Sequence, residues 1–247
     1  MKKIFNLILI CFIIMIIFLN SENMVLTQES KGVNQKLAVN DLKIREEHEG
    51  LNVDMIIPVI EGMKDKEAEM KINQLLQKDA FNFKEELQID SEEYLKGAKK
   101  EGWEIRKYEA SSYYIVHFQS KNILSVSVFY YRYTLGAHGH TLQRAYNINL
   151  RNGEKIFLSD VLKDVENYKE IINQKIKKQI QLNPEEYFEE KIFGKIFKAI
   201  NDEQPFYIIK DGIVIYFGLY EIAPYACGIK YFKIPLSSNI RESLFFK

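Results

Sequence analysis

The clearest signal of the fold lies at residues 124–133. This stretch reads Leu124-Ser125-Val126-Ser127-Val128-Phe129-Tyr130-Tyr131-Arg132-Tyr133. Apolar residues occupy every second position at first, and this period of two predicts a β-strand with one firmly apolar face. The opposite face is polar at the two serines and then becomes aromatic. A strand that is aromatic on both faces needs either a helix or a bound partner over its second face.

Other strands are predicted on both sides of this one. Residues 51–56 alternate in the same way and run into Pro58, which confines a strand to an edge or ends it. Residues 230–234 predict a last strand that ends at Pro235.

Two turns that contain glycine predict hairpins. A three-residue loop, Arg151-Asn152-Gly153, is preferred to a two-residue Asn-Gly loop because it keeps apolar residues opposite one another. A two-residue loop, Asp211-Gly212, separates two apolar runs later in the chain. The predicted pairs are Ile148 with Ile156 and Tyr146 with Leu158 in the first hairpin, and Ile208 with Ile215 and Phe206 with Phe217 in the second.

Amphipathic helices are predicted between the strands. Apolar residues recur at helical spacing over residues 72–87 and again over residues 165–180. Asn183-Pro184-Glu185-Glu186 combines a capping residue with a first-turn proline and predicts a third helix that ends near Asn201. Because strands and helices alternate without regular βαβ spacing, the predicted class is α+β, with mainly antiparallel sheets packed with two or three amphipathic helices.

Composition and charge exclude two classes of protein. Apolar residues make up 47% of the 247 positions, so the chain is not disordered throughout. Its 34 basic residues balance 34 acidic ones, which removes the positive field that non-specific nucleic-acid binding needs. We therefore expect no nucleic-acid partner.

The first residues carry a targeting signal. Lys2 and Lys3 precede an apolar run at residues 4–19, which is typical of a signal peptide or a membrane anchor. The lack of an Ala-x-Ala pattern favours retention as an anchor, with cleavage near Ser21 as the alternative. We expect residues 1–20 to direct export to the extracellular face of the membrane and residues 21–41 to form a tether. Two modules follow, at residues 42–135 and 136–247.

Candidate chemistry is concentrated in Gly136-Ala137-His138-Gly139-His140. The two histidines could place two metal ligands on one strand face. A catalytic zinc takes three protein ligands, and no further Cys or His lies nearby in sequence, so neither a metal nor another cofactor is expected. The nucleophile motifs of hydrolases and the glycine-rich phosphate loops are absent.

Five segments, in order, resemble one family. They are residues 51–62 with Ile72-Asn73, Gly136-Ala137-His138-Gly139, Tyr146-Asn147-Ile148-Asn149-Leu150 with Asn152-Gly153, Leu158-Ser159-Asp160-Val161-Leu162, and Tyr220-Glu221-Ile222-Ala223-Pro224-Tyr225-Ala226-Cys227-Gly228. The first is similar to the start of the extracellular region of RsiV-type anti-sigma factors and of the non-catalytic region of PdaC-type peptidoglycan deacetylases. The others resemble the C-terminal module of that family, so that the resemblance covers about residues 42–240.

This resemblance implies an exported α+β module of the cell envelope of mainly Gram-positive bacteria. In RsiV-type proteins such a module binds lysozyme and triggers proteolytic release of a sigma factor. Only Met1, Lys2 and Lys3 precede the apolar run here, which is too little for a sigma-binding domain, and no deacetylase domain follows residue 247. No sigma factor is therefore expected as a partner.

The expected function is that of a binding module without catalysis. Its partner would be a protein such as lysozyme, or a peptidoglycan fragment. The alternatives are a cell-wall hydrolase that uses carboxylates or His138 and His140, and a purely structural surface protein.

Two segments are the candidate recognition surface. The glycines of residues 136–140 permit close backbone approach to a ligand, and the Ala, Pro and Gly of residues 220–228 suit a shaped loop. We expect the two segments to lie side by side. The candidate contacts are Tyr133, His138, His140, Tyr220 and Tyr225. The alternative is that both segments tie the sheet together and their tyrosines are buried.

Overall fold

The computed structural model of the chain describes residues 37–189 and 196–246. Its elements, in chain order, are β1 (Ala38–Glu47), β2 (Leu51–Glu61), α1 (Lys66–Glu101), β3 (Tyr108–Gln119), β4 (Ile123–Tyr133), β5 (His140–Asn149), α2 (Leu158–Val161), α3 (Tyr168–Ile180), β6 (Phe206–Ile209), β7 (Gly212–Phe217), β8 (Lys230–Pro235) and α4 (Ser238–Phe246), with single 3-10 turns at Pro184–Glu186 and Tyr225–Cys227.

The strands form a five-stranded sheet, ordered β1 to β5, and a three-stranded sheet, ordered β6 to β8. All neighbouring strands are antiparallel except β2 and β3, which pair in parallel over residues 51–55. Parallel neighbours need a crossover connection, and α1 provides it. The predicted α+β class with mainly antiparallel sheets is confirmed.

Helix α1 covers one face of the five-stranded sheet. The Asp65 side chain caps its start by accepting from two backbone N–H groups, and Gly102 ends it in the left-handed conformation. Its buried face includes Ile72, Leu76 and Ala80, which share a core with the apolar side of β2 to β5. The predicted helix at residues 72–87 is therefore the middle of a longer one.

The three-stranded sheet has its own core on one side. Ile208, Ile213 and Ile215 are fully buried there, together with Ile172 and Ile176 of α3. The predicted helical spacing of residues 165–180 is confirmed over α3.

The opposite side of the three-stranded sheet packs on the outer face of β4 and β5, where one asparagine joins the two sheets. The Asn147 side-chain amide donates to the Phe206 carbonyl at 2.8 Å, and its oxygen accepts from Ile208 N at 3.1 Å and from the Ser125 hydroxyl at 2.7 Å. The side chain thus takes the place of a neighbouring strand at the free edge of β6.

A second polar connection lies beside the first. The Gln143 side chain donates to Ser127 Oγ at 2.9 Å and accepts from the Tyr231 hydroxyl at 2.8 Å, while the Tyr216 hydroxyl accepts from Ala145 N at 3.0 Å. Every one of these contacts crosses from one strand to another, so the aromatic side of the second sheet is fixed on the polar part of the first.

The third predicted helix is wrong in the part of it that the structure describes. Pro184–Glu186 makes only a 3-10 turn, residues 187–189 and 196–201 are not helical, and residues 190–195 lie outside the described residues. Asn183 makes no side-chain capping bond. Phe188 N instead donates to the Ile222 carbonyl at 3.0 Å, so contact with a distant loop replaces the next helical turn.

The register of the first predicted hairpin is also wrong. Ile148 lies opposite Lys155, so the loop has four residues, 150–153, and Leu158 begins α2 instead of pairing. Leu150 is 7% exposed and belongs to the core under α1, so it lies in the loop and does not pair with the strand that follows. Gly153 has the expected positive φ, at 72°.

The second hairpin forms, but its register differs by two residues. Phe206 lies opposite Ile215 and Ile208 opposite Ile213, with Lys210 and Asp211 as the loop. Gly212 belongs to β7, because a Cβ there would lie 2.4 Å from the Ile234 carbonyl oxygen. A shift of two preserves the faces of the strands, so the predicted residues still share one core.

Strand β2 extends beyond the predicted residues 51–56, and β1, beside it, was not predicted as a strand. Strand β1 begins at Ala38, four residues before the expected start of the first module, because Ala38 pairs with Glu61 at the end of β2. Pro58 neither ends β2 nor lies in an edge strand of the sheet. It is tolerated since the pairing with β3 stops at Met55.

Candidate functional site

The loop between β4 and β5 is held against the outer face of the sheet. Gly139 is buried under the ring of Tyr131, where a Cβ would lie only 2.3 Å from the ring atoms. Leu135, in the same loop, has a φ of 65°, a conformation that a branched side chain rarely adopts. The loop therefore has a defined path that glycine makes possible.

The second predicted segment connects β7 to β8. Tyr220 has a φ of 64°, and Tyr225–Cys227 forms a 3-10 turn that ends at Gly228. A left-handed residue other than glycine costs free energy, so it persists only where the surrounding structure holds it. Such residues cluster at functional sites. Tyr220 lies in the second predicted segment, and Leu135 directly precedes the first.

The two segments lie side by side, as predicted. The rings of His138 and Tyr225 stack with centroids 3.8 Å apart, and the Tyr220 ring lies 5.7 Å from that of Tyr225. The Tyr225 hydroxyl donates to the Gly139 carbonyl at 2.8 Å.

Hydrogen bonds fix the orientation of the His138 ring. Its Nδ1 lies 2.9 Å from the Gly139 carbonyl oxygen, which can only accept, so the proton is on Nδ1. In the neutral ring Nε2 then accepts from the Tyr220 hydroxyl at 3.3 Å. No carboxylate of the described residues hydrogen-bonds to this ring, and both nitrogens serve to join the two loops.

Tyr131 links these residues to Tyr133. Burial and the nearby Glu109 raise the pKa of Tyr131, and the phenols of Tyr225 and Tyr133 contribute to the same shift. The Tyr133 hydroxyl also accepts from Arg106 at 3.2 Å. We call Tyr131, Tyr133, His138, Tyr220 and Tyr225 the aromatic patch.

The structure does not bring His140 into the aromatic patch. His140 pairs with Arg132 at the start of β5 and lies on the side of the sheet that faces α1. Burial lowers its pKa, and Arg132 and His138 lower it further. The two histidines therefore have different neighbours: His138 stacks on Tyr225, whereas His140 lies toward α1, and both reach the same open hollow beside the helix.

The patch combines exposed and half-buried rings. His138 is exposed and Tyr220 is 44% exposed, whereas Tyr131, Tyr133 and Tyr225 are half-buried. His138 and Tyr220 are thus exposed enough to contact a partner, whereas the other three rings are partly covered by the protein itself.

Sequence reasoning missed Tyr131 as a member of the patch. Period-two alternation along β4 contains the signal, because Phe129, Tyr131 and Tyr133 share the face away from α1. Tyr113, 51% exposed, stacks on Phe129 with centroids 4.7 Å apart and extends the aromatic surface along the sheet.

One histidine and serine pair elsewhere has the geometry of a catalytic dyad. His117 Nε2 lies 2.9 Å from Ser127 Oγ, but Ser127 is 0% exposed and the His117 ring is stacked under Tyr207 at 3.7 Å. A substrate cannot reach this hydroxyl, so the contact is structural.

The described residues contain neither a metal-binding cluster nor a membrane-spanning helix. Within residues 37–189 and 196–246, no cluster of His, Cys, Asp and Glu side chains is arranged to hold a metal ion. Over the same residues, no helix has both the length and the apolar character needed to cross a bilayer. The expected signal or anchor at residues 4–19 and most of the expected tether lie outside the described residues.

Two family models match successive parts of the chain. Residues 44–141 match the family model described as Deacetylase PdaC, and residues 159–237 match the model described as Protein of unknown function (DUF3298). The chain is 29% identical over 206 residues to the anti-sigma-V factor RsiV of Bacillus subtilis strain 168, which covers 80% of this chain and 67% of RsiV.

Solved structures share the fold. A DUF3298 family member from Bacteroides fragilis superimposes with a TM-score of 0.64 at 21% identity, covering 82% of this chain and 91% of the other. A DUF3298 family protein from Pseudomonas aeruginosa PAO1 gives 0.54 at 16% identity, covering 86% and 95%.

The fold and the order of the two matches define an α+β module with a PdaC-type part followed by a DUF3298-type part. Over these residues the chain is similar to RsiV and to PdaC-type and DUF3298-type domains.

Proposed function

We propose that this chain is an exported binding module of the cell envelope and that the aromatic patch docks a protein partner, without catalysis. The resemblance to RsiV-type modules makes lysozyme the first candidate. The observation that carries the proposal is the exposed His138 and Tyr220 pair, held over Tyr225 by hydrogen bonds between two distant loops.

The chemistry of the patch suits a protein interface. Tyrosine offers a large rigid surface with a polar tip, and aromatic anchors contribute much of the binding energy in interfaces. The stacking on Tyr225 and the bond to the Gly139 carbonyl order these rings before a partner arrives. Less side-chain entropy is then lost on binding.

The proposal includes export through residues 1–20, with residues 21–41 as the tether and the module facing the cell wall. Cell fractionation with mass spectrometry of the mature N-terminus tests this part. A full-length protein found soluble in the cytoplasm would refute it.

Calorimetric titration of lysozyme into the purified full-length protein tests the binding role. Tyr220→Ala should weaken binding at least about tenfold while changing stability little, because this ring is largely exposed. Phe157→Ala is the matched control, since Phe157 is an exposed aromatic residue, 53% exposed, outside the patch. Equal effects of the two substitutions would remove the patch from the interface.

The same preparation distinguishes a glycan ligand and an enzyme. If the protein binds muropeptides instead of lysozyme, and Tyr220→Ala abolishes that binding, the aromatic patch is still the binding site but its partner is a wall fragment. Turnover of peptidoglycan that disappears in His138→Ala would replace the binding role by a cell-wall hydrolase.

A further inference from the structure

A polar trough lies between the ends of β4 and β5 and helix α1, and its open part reaches His138 of the aromatic patch. Its deeper end is a cavity of about 250 Å³, and an open hollow of about 500 Å³ continues from it. Arg132 and His140 line both parts. The trough is thus continuous along α1.

The Tyr130 hydroxyl lies at the deep end of the trough. Tyr130 is 1% exposed, and its hydroxyl makes no hydrogen bond of good geometry with the described residues. Its polar neighbour is the Tyr146 hydroxyl, which donates to Asp79 at 2.7 Å. Burial raises the pKa of Tyr130 to about 12, so the phenol is protonated and remains a donor. An unpaired buried hydroxyl costs stability, and such groups in native structures call for an explanation.

The strand wall of the trough is basic. Arg132 is exposed and makes no ion pair within 4 Å with any residue that the structure describes. Arg144 lines the deep cavity and is held by Asp79 at 2.9 Å. A guanidinium beside a phenol hydroxyl is a suitable site for a carboxylate, because both groups donate to its oxygens.

The helix wall of the trough is acidic. Glu86, Asp90 and Glu93 follow one another at spacings of four and three residues, which places them on one face of α1. None of the three forms an ion pair within the described part of the chain. The acidic and basic walls therefore face each other without pairing directly, which leaves both charges for a ligand that carries both signs.

We propose that the trough binds a small zwitterionic peptide, with its carboxylate on Arg132 and the Tyr130 hydroxyl and its ammonium group on Asp90 and Glu93. The dimensions agree with a dipeptide. Seven helical residues from Glu86 to Glu93 span about 10 Å, and an extended dipeptide spans roughly 7 Å.

Titration of alanyl-alanine into the full-length protein by calorimetry tests the proposal. Alanyl-alanine amide lacks the carboxylate and N-acetyl-alanyl-alanine lacks the ammonium group, and each should bind at least about tenfold more weakly. No binding of alanyl-alanine at 10 mM, which is about the weakest interaction that the assay detects, would overturn the proposal. Equal binding of all three compounds would overturn it as well.

Substitutions locate the site. Arg132→Gln should weaken binding about tenfold and Tyr130→Phe several-fold, whereas Arg45→Gln, at an exposed arginine on β1, should leave it unchanged. Tyr130→Phe keeps the buried ring and removes only an unpaired hydroxyl, so the variant should melt no lower than the parent. Unaltered affinity in both trough variants would contradict the assignment.

Discussion

Replacing Asn147 by alanine should destabilise the chain by about 3 kcal/mol, because this side chain joins the two sheets. The substitution leaves the Phe206 carbonyl and the Ser125 hydroxyl without their buried partner, while Ile208 N keeps Ser125 Oγ at 2.9 Å. Two buried polar groups that lose their partners cost about 1–3 kcal/mol each, and rotation of the hydroxyl recovers part of this loss.

Asn149→Ala is the matched control on the same strand and the same face. The Asn149 side chain accepts only from Arg151 N at 2.9 Å, in an exposed turn, so its loss should cost less than about 1 kcal/mol. Urea unfolding followed by far-ultraviolet circular dichroism measures both values, and an unchanged m-value shows that the comparison is valid. Equal losses for the two variants would refute the role of Asn147.

Three further predictions concern single side chains. Burial lowers the pKa of His117 to about 4, below its unfolded value, so stability is full above about pH 6.5 and falls as the pH drops toward 4. The partly exposed ring limits the loss to about 1–2 kcal/mol, and His117→Gln should flatten this slope in urea unfolding at pH 4 to 7. Gly212→Ala should cost at least about 2 kcal/mol, since its Cβ meets the Ile234 carbonyl at 2.4 Å, whereas Gly97→Ala on α1 meets no atom within 4 Å and should stabilise by up to about 1 kcal/mol in the same assay. Gly139→Ala should displace the Tyr131 ring and weaken lysozyme binding in calorimetry by at least about tenfold, and unchanged affinity would contradict the packing described here.

Local patterns predicted the elements of the fold better than their registers. The 3.6-residue period of α1 and the apolar runs of β6 and β7 are strong local signals. Asp-Gly predicts a turn at Gly212, but its position follows from the close approach of Pro235 on β8, 23 residues further along the chain. No local pattern contains that information.

The candidate site shows the same division. The glycines and prolines of the two loops predicted shaped segments, and the contact of His138 with Tyr225 confirms their proximity. The separation of His140 from His138 depends on the pairing of β5 with Arg132, and the role of Asn147 depends on Phe206, fifty-nine residues further along the chain. Such contacts depend on how distant parts of the chain pack together, and local sequence patterns do not reveal this.

Hydrogen–deuterium exchange of the full-length protein, with and without lysozyme, shows whether the aromatic patch is the docking surface. Exposed loops exchange rapidly when free, and a docked partner protects them. We expect added protection at residues 134–140 and 218–228, with β1 and α3 unchanged. Protection confined to other segments, or no change at saturating lysozyme, would contradict this expectation.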